Sequence, residues 1–389
     1  LFFWVARMVM TGLHFTDRLP FATVHLTGLV RDPEGRKMSK TRGNVVDPLE
    51  LVDEYGADAL RFTLAALDSP GRDIPLDRER MAGYRAFGNK IWNAVRFSLS
   101  RTEGATVQTA LAPALLAAPE RWILSRLSRA EREVNAKLEA FRFDEACRAL
   151  YAFFWGELCD WYIELVKPAL GGEAPRPQVG EVLLTALERS LRLLHPVMPF
   201  LTEELWQRLP GHQAVHAETI VLAPYPAGEA AWEDASVEED MGHLMALVTW
   251  VRNRRAALGL APKAVLEAAF ETAEGRLAAF LEEQAPVARA LGGLASWRLS
   301  PPPPTASSDR VGGVLIGLDS PGRDLGGEER ARVDAELAEL SEHLQRVESL
   351  LADPSFLARA PGEVVERNRS RLTSLRERRT SLEARSVRP

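Results

Sequence analysis

Residues 29–48 read LVRDPEGRKMSKTRGNVVDP, and this stretch decides how the first part of the chain is expected to fold. Four cationic side chains lie within residues 36–42, between Gly35 and Gly43. The stretch follows an apolar, β-branched run at 21–30, which is typical of a buried strand in a parallel sheet. Ligands of open α/β sheets bind at the carboxyl ends of strands, so the sequence predicts a mobile phosphate-binding loop. A basic surface turn is the alternative, because two lysines at this spacing are common by chance.

Helix signals lie on both sides of this loop. Asp47 is a predicted N-cap followed by a proline, and Gly56 is predicted to end that helix. Asp58 is predicted to cap the next helix. Before the strand, residues 1–12 form a predicted helix that is apolar nearly all round, so we expect it to end at Gly12 and to lie in a core.

The composition limits the class of protein. The 389 residues are 46% hydrophobic with a net charge of -6, which favours several globular domains and argues against indiscriminate nucleic-acid binding. The two cysteines, Cys147 and Cys159, allow neither a disulfide framework nor a four-cysteine zinc site. His212 and His216 are four residues apart and would share a helix face, as metal ligands can. The flanking residues instead indicate a loop that enters a strand, which argues against a metal site. The cysteine and histidine spacings therefore predict no bound metal. No apolar run reaches the roughly 20 residues that span a bilayer, and with only two cysteines we predict a cytoplasmic protein.

Helical periodicity dominates from residue 77 to residue 209 and predicts a helix bundle. Lys90, Asn93 and Phe97 would share one face of its first helix. An amine, an amide and a ring on one face suit contacts with the phosphates and unpaired bases of RNA. An aromatic core stripe with solvated flanks is the alternative.

A small α/β module is predicted after the bundle. Its predicted helices cover 241–258 and 276–291, and its predicted strands cover 263–271, 295–299 and 311–318. Residues 301–308 begin with four prolines and are predicted to form an extended, exposed spacer. Arg252 and Arg255 of the first helix could contact an RNA backbone, and a solvated basic face is the alternative.

The last segment carries a second strong pattern. A coiled-coil seam is indicated by apolar residues that alternate at spacings of four and three: Val333, Leu337, Leu340, Leu344, Val347 and Leu351. After a break at 353–354 the period continues, with two polar members, through Val365, Asn368, Leu372, Leu375, Arg379 and Leu382. These two runs predict an antiparallel helical hairpin.

The second helix of this hairpin is rich in arginine. Eight arginines and two glutamates follow Glu366, while the first helix is mainly acidic. We therefore predict that the second helix binds RNA phosphates, with Arg367 and Arg371 as candidates. The alternative is that these charges only pair the two helices and keep them in solution.

The string GRKMSKTRGN at 35–44 resembles the KMSK signature of class I aminoacyl-tRNA synthetases. The resemblance implies activation of an amino acid by ATP with Mg²⁺, in which Lys37, Ser39 and Lys40 are catalytic. The ATP-binding residues that it implies are Lys37, Met38, Ser39, Lys40 and Asn44. It also implies that Trp4 walls the amino-acid pocket, whereas an ordinary core tryptophan is the alternative.

Three later stretches, 83–97, 159–164 and 194–206, resemble the anticodon-binding domain of class Ia synthetases. The terminal hairpin, with its turn at 353–365, resembles that of the valyl-tRNA synthetase family. These resemblances imply a valine-tRNA ligase that acts as a monomer on valine, ATP and tRNA(Val). The implied tRNA-binding residues are Lys90, Asn93, Phe97, Arg252, Arg255, Arg367 and Arg371. The alternatives are another class Ia synthetase (isoleucyl, leucyl or methionyl) or a non-catalytic tRNA-binding or coiled-coil protein that retains a relic KMSK string.

The expected fold is mainly α, in four parts. Residues 1–75 would be the C-terminal part of a Rossmann-type α/β catalytic core, and residues 76–225 a helical anticodon-binding domain. Residues 226–325 would be the small α/β module with its linker, and residues 326–389 a coiled-coil tRNA-binding arm. Because the family's HxGH signature is not found in the sequence, we expect a C-terminal fragment that is inactive alone and lacks the editing domain.

Overall fold

The computed structural model describes residues 3–171, 176–261 and 263–386. It is mainly helical, as predicted, and divides into two compact units, Leu1–Ala235 and Ser236–Pro389. The first unit begins with α1 (Val5–Thr16), β1 (Val30–Arg31), α2 (Pro48–Tyr55), α3 (Ala57–Leu67) and β2 (Ile74–Pro75). A bundle of helices follows, and no helix among the described residues is long and apolar enough to cross a membrane.

The strand predicted at 21–30 is almost entirely absent. Regular pairing is confined to Val30–Arg31, which runs parallel to Ile74–Pro75. A parallel strand is stable only where a neighbour pairs along its length, and within the described chain β2 offers two residues. Gly28 is required just before β1, because a Cβ there would lie 1.8 Å from the Arg72 carbonyl oxygen.

The first helix also differs from the prediction. It continues past Gly12, and ends where Asp17 takes a left-handed conformation and donates its N–H to the Leu13 carbonyl. None of its residues is buried, and Trp4 is 72% exposed. The predicted core position of this helix is therefore wrong, because no described element covers its apolar side chains.

The bundle confirms the helical prediction for 77–209. Its members are α4 (Arg78–Leu99), α5 (Ala118–Glu139), α6 (Phe143–Tyr151), a π-helix (Ala152–Tyr162), α7 (Ile163–Gly171), α8 (Pro177–Leu194) and α9 (Pro199–Trp206). Fully buried side chains such as Phe87, Leu127 and Leu158 fill its core. Each contributes about 1.5–3 kcal/mol relative to an exposed side chain.

Asp47 and Asp58 both cap helices, but only Asp47 caps the helix that was predicted for it. Asp47 accepts a hydrogen bond from the Leu49 N–H at 2.9 Å and caps α2, as predicted. Asp58 lies inside the first turn of α3 and instead accepts from the N–H groups of Phe200 (3.2 Å) and Leu201 (2.6 Å), at the start of α9. The prediction that Asp58 caps its own helix is therefore wrong.

Arg61 extends this contact into the break between α8 and α9. Its guanidinium donates to the carbonyl oxygens of Pro196 (3.0 Å) and Val197 (3.2 Å). Together, Asp58 and Arg61 fix α3 to the break itself and to the start of α9.

The strand expected after His216 does not form. Residues His212–Val215 and Ile220–Leu222 are short 3-10 turns. The Thr219 hydroxyl and the Ile220 N–H donate to the Glu203 carboxylate, so side-chain bonds replace a strand ladder.

The second unit contains α10 (Ala235–Ala257), β3 (Glu267–Glu271), α11 (Gly275–Glu283), α12 (Ala285–Gly292), β4 (Ser296–Leu299), β5 (Ser307–Val311) and β6 (Val314–Asp319). Its sheet has the order β4-β3-β6-β5, in which only the β3–β4 pair is parallel. The α/β composition is as predicted. The single helix predicted at 276–291 is two helices that meet at Gln284, two residues before a proline.

The predicted spacer at 301–308 is wrong in its second half. Ser307 begins β5, and Ala306 and Ser307 are both buried. Pro302 packs so closely on the sheet that a Cβ on Gly317 would lie 2.4 Å from the Pro302 side chain. Pairing of β5 with β6 therefore fixes the segment against the sheet.

The chain ends in α13 (Leu325–Ala352), α14 (Pro354–Arg359) and α15 (Gly362–Ser386). Helices α13 and α15 pack against each other along the predicted seam. Its most buried members are Val333, Leu340, Leu344, Val347 and Leu382. Ion pairs Arg376–Glu348 (2.8 Å) and Arg378–Glu336 (2.7 Å) join the two helices. The helical hairpin is confirmed, and supercoiling of its helices stays a prediction.

Candidate functional site

The basic loop is built around one buried carboxylate, Asp32, which is 2% exposed. One of its oxygens accepts from the Arg36 N–H at 2.6 Å. The other accepts from the Arg36 Nε at 2.8 Å and the Asn44 Nδ2 at 2.9 Å. Burial raises the pKa of Asp32, but the hydrogen bonds from Asn44 and Arg36 and the Arg36 charge outweigh it and lower the pKa to about 2. Asp32 is therefore a charged anchor.

Asn44 connects this anchor to the KMSK residues. Its Oδ1 accepts from the Ser39 N–H at 2.9 Å, and its Nδ2 also lies 3.3 Å from the Lys37 carbonyl oxygen. The structure thus gives Asn44 a holding role, and its predicted contact with ATP stays a prediction. Sequence reasoning missed Asp32, although an acid followed by Pro-Glu-Gly is a recognisable turn signal.

The two lysines of the motif are presented to solvent. Lys37 and Lys40 are exposed, and neither has an ion-pair partner in the described part of the chain. Lys40 begins a 3-10 turn that Gly43 ends in a left-handed conformation. An exposed pair of mobile ammonium groups on a tethered loop can bind a polyanion such as a triphosphate. The predicted members Met38 and Ser39 are half-buried.

Trp4 is not brought to the loop by any contact of the described residues. Its ring lies 5.9 Å from the Arg7 guanidinium at the start of α1 and is otherwise exposed. Its place in an amino-acid pocket stays a prediction.

We predict that Asn44→Ala raises the pKa of Asp32. The hydrogen bond from the Asn44 amide to Asp32 favours the charged form of the carboxylate, so its loss makes protonation of Asp32 easier. The stabilisation that Asp32 gives the native loop is present above the ordinary aspartate pKa of 3.8 and is lost as the pH falls through about 2, and the variant should lose it at higher pH. A carboxyl-detected NMR titration of the chain measures this shift.

The control for that titration is Asn93→Ala, which removes an exposed amide elsewhere. Amide exchange at Ser39 should also accelerate in Asn44→Ala and not in the control, since the Ser39 N–H loses its acceptor. An unchanged Asp32 titration in Asn44→Ala would contradict the anchoring role.

Lys90, Asn93 and Phe97 share a face of α4, as predicted. Lys90 Nζ lies 3.0 Å from Asp160 and 5.0 Å from the centre of the Trp155 ring. Burial lowers the pKa of Lys90, but the Asp160 hydrogen bond and charge outweigh this effect and raise it. Asn93 is exposed.

Phe97 adds a half-buried ring to the same face. Lys167 Nζ lies 5.4 Å from the centre of this ring. Trp155 and Lys167 therefore add an aromatic ring and a cation that sequence reasoning did not include. Both come from segments at least 50 residues along the chain, which only the folded bundle brings to α4.

Arg252 and Arg255 make internal contacts. Arg252 Nε donates to the Leu291 carbonyl at 2.9 Å, and Arg255 Nη1 donates to the Gly292 carbonyl at 3.1 Å. These bonds satisfy carbonyl groups at the end of α12. The tRNA contact predicted for the two arginines stays a prediction, and the structure gives them a structural role.

Arg367 and Arg371 are exposed on α15, without an ion-pair partner among the described residues. Arg369 between them is paired with Glu366 at 3.7 Å. The described chain contains no group of three or more histidine, cysteine and acidic side chains arranged for a metal ion. His212, one of the two spaced histidines, is buried, and its Nδ1 lies 2.8 Å from the Leu209 carbonyl oxygen.

Three family models match successive parts of the chain. Residues 1–77 match "tRNA synthetases class I (I, L, M and V)", and residues 120–270 match "Anticodon-binding domain of tRNA ligase". Residues 327–387 match "Valyl tRNA synthetase tRNA binding arm". The KMSK loop, most of the bundle and the hairpin lie inside these matches.

Curated relatives agree with the family models. A valine-tRNA ligase of Nitratidesulfovibrio vulgaris is 41% identical over 389 residues, which cover 99% of this chain and 44% of the relative. That of Geobacter sulfurreducens is 41% identical over 98% of this chain and 44% of its own length. That of Carboxydothermus hydrogenoformans is 42% identical over 99% of this chain and 44% of its own length.

One solved structure also matches, the crystal structure of an Agrobacterium radiobacter K84 LeuRS-tRNA-LeuAMS ternary complex, at 25% sequence identity. The match covers 58% of this chain and 27% of the chain in that structure. Its TM-score of 0.48 is too low for a conclusion about the fold. The chain spans less than half the length of the curated relatives it matches. From its three family-model matches and its identity to these ligases, the chain belongs to the valyl-tRNA synthetase family.

Proposed function

We propose that this chain is the part of a valine-tRNA ligase that supplies the KMSK loop and the tRNA-binding surfaces. The observation that carries the proposal is the loop itself: Lys37 and Lys40 are exposed and unpaired among the described residues, on a segment tied through Asn44 to buried Asp32. The complete enzyme would join valine to ATP, release pyrophosphate and transfer the valyl group to the 3′ end of tRNA(Val).

Within this reaction, Lys37 and Lys40 stabilise the negative charge that grows on the leaving pyrophosphate. Half-buried Met38 and Ser39 help to fix the conformation of the loop, and Asn44 holds the loop through its hydrogen bonds. Mg²⁺ would enter with the triphosphate, since no acidic group among the described residues is arranged to hold it alone. The valine pocket at Trp4, a monomeric state and a cytoplasmic location belong to the same proposal.

For tRNA, the proposal assigns two surfaces. The face of α4 with Lys90, Asn93 and Phe97 meets unpaired bases, because its cation, amide and ring can contact phosphate, base edge and base plane. The exposed side of α15 meets RNA phosphates through Arg367 and Arg371. The four-part division at residues 75, 225 and 325 is part of this proposal.

The experiment that tests it is salt-dependent binding of tRNA(Val) to the full chain. The double variant Arg367→Ala/Arg371→Ala should weaken binding and reduce the slope of log K against log salt by about two, one for each lost phosphate contact. Filter binding across a salt series measures both quantities.

The matched control is Arg369→Ala/Arg379→Ala. It removes the same charge from α15, but its arginines are paired with Glu366 and Glu383 on their own helix. The control should retain most of the affinity and slope. Equal losses in both double variants, or none in either, would argue against specific contacts by Arg367 and Arg371.

A further inference from the structure

A cavity of about 390 Å³ lies between α3, α4 and α6, away from the basic loop. Phe62 and Cys147 are almost fully buried and form its floor. The rings of Tyr84 and Tyr151, whose centres are 6.4 Å apart, also line it. Its volume is in the range of small-molecule sites and is sufficient for one nucleotide.

Two guanidinium groups, Arg80 and Arg148, also line this cavity. Their side chains are 59% and 72% exposed, and each makes an ion pair on its own helix: Arg80 with Asp77 at 3.4 Å, and Arg148 with Asp144 at 3.8 Å. Ion pairs between exposed side chains contribute little free energy. Both groups are therefore free to turn toward a ligand at little cost.

Asp144, the acid on the cavity wall, is held differently. It is buried and accepts a hydrogen bond from the Ser69 hydroxyl at 2.9 Å, with Arg142 at 3.5 Å. The charged lining therefore consists of two guanidinium groups and one carboxylate, and its net charge is positive.

The tyrosines supply polar groups as well as rings. Neither phenol hydroxyl has a hydrogen-bond partner in the described part of the chain. Burial raises the pKa of Tyr84, and the charges of Arg80 and Arg148 oppose that increase. Both arginines line the cavity together with Tyr84. An aromatic surface, two free hydroxyls and two cations therefore meet in one concave site.

We propose that this cavity binds a mononucleotide: a planar base joined through a sugar to a phosphate. The base lies against the aromatic side chains, where its face can stack and its polar edge can reach the phenol hydroxyls. The phosphate meets Arg80 and Arg148, whose planar forks match a phosphate with two parallel bonds each. This site does not depend on the proposed aminoacylation function.

Adenosine 5′-monophosphate is a suitable probe, titrated into the full chain by calorimetry. We expect saturable binding, with adenosine and ribose 5-phosphate each at least tenfold weaker, because each lacks one half of the recognised group. The ring of Trp155 stacks on Tyr151 with centres 5.4 Å apart, so ligand binding should also change tryptophan fluorescence.

Gly83→Leu is designed to close the cavity without disturbing the fold. Gly83 lies inside α4 and lines the cavity, and a Cβ there would meet no atom within 4 Å. Leucine also favours the helix over glycine. The matched control, Gly242→Leu, replaces a glycine inside α10 with equally open space.

Gly83→Leu should lower the affinity for adenosine monophosphate at least tenfold, and Gly242→Leu should leave it unchanged. The double variant Arg80→Ala/Arg148→Ala should also lose at least tenfold. Circular dichroism and thermal melting show whether each variant is folded. The proposal is overturned if the nucleotide does not saturate the wild-type chain at a few millimolar, or if folded Gly83→Leu binds it as the control does.

A base, sugar and phosphate are present both in a free nucleotide and in each nucleotide of an RNA strand. Competition between adenosine monophosphate and a short single-stranded oligoribonucleotide separates the two sources. Tighter binding of the mononucleotide identifies a free metabolite as the ligand, and tighter binding of the oligonucleotide, lost in Gly83→Leu, identifies an RNA nucleotide.

Discussion

Replacement of Lys40 by alanine in a full-length enzyme that carries this region is expected to lower kcat for valine-dependent ATP–pyrophosphate exchange by about 100- to 1000-fold. Lys40 is exposed at the start of its 3-10 turn and has no ion-pair partner among the described residues, so its charge is available to the reacting phosphates. Charge that develops only in the transition state affects kcat more than KM. We therefore expect KM for valine and for ATP to change little, and Lys37→Ala to behave likewise.

Arg42→Ala provides the control for this experiment. Arg42 is an exposed cation of the same 3-10 turn, so the variant removes an equal charge within two residues of Lys40. Its effect on kcat should be far smaller. If Arg42→Ala lowers kcat as much as Lys40→Ala does, the loop contributes only its overall positive charge. If KM for ATP rises while kcat is unchanged, Lys40 binds the ground-state nucleotide only.

The largest effect on stability is expected from Glu131→Ala, which should lower the free energy of unfolding by about 3–5 kcal/mol. Glu131 is fully buried in α5 and accepts from Arg189 Nε at 2.6 Å and from the Gly228 N–H at 2.7 Å. Its removal leaves the Arg189 guanidinium without its main counter-charge. This guanidinium lies 4.8 Å from the centre of the Trp232 ring. The removal of Glu131 also leaves the Gly228 N–H without its acceptor.

Urea unfolding followed by circular dichroism measures this loss. Glu133→Ala on the same helix is the control, because Glu133 is exposed and should change the free energy by less than about 0.5 kcal/mol. A result for Glu131→Ala within that margin would show that the buried pair contributes nothing to the bundle.

Features set by neighbours in sequence were predictable. Asp47 caps a helix that begins at the next residue, and the hairpin seam repeats within single helices, so both follow from local spacing. The resemblance of residues 37–40 to the KMSK signature also rests on contiguous residues, and their catalytic role stays a prediction. The prediction of a strand at 21–30 was wrong because a strand depends on a pairing partner, which the local sequence pattern does not reveal.

Contacts between distant segments were not predictable. Asp58 caps a helix 142 residues further along the chain, and Arg252 contacts a carbonyl 39 residues away. Asp32 was missed because its role requires Asn44, Arg36 and burial together. Local sequence therefore suggested the loop lysines as candidates, and the fold was needed to find the side chains that hold the loop.

The contact of Asp58 and Arg61 with the break between α8 and α9 has a mechanical consequence. Rotation of α3 about its axis would break four hydrogen bonds at once, so α3 and the bundle behave as one rigid frame. Only Gly56 separates α3 from α2, which begins four residues after Asn44. A tRNA that tilted α8 or α9, bound as proposed above, would therefore also move α3 and α2, and with them the end of the basic loop that leads into α2.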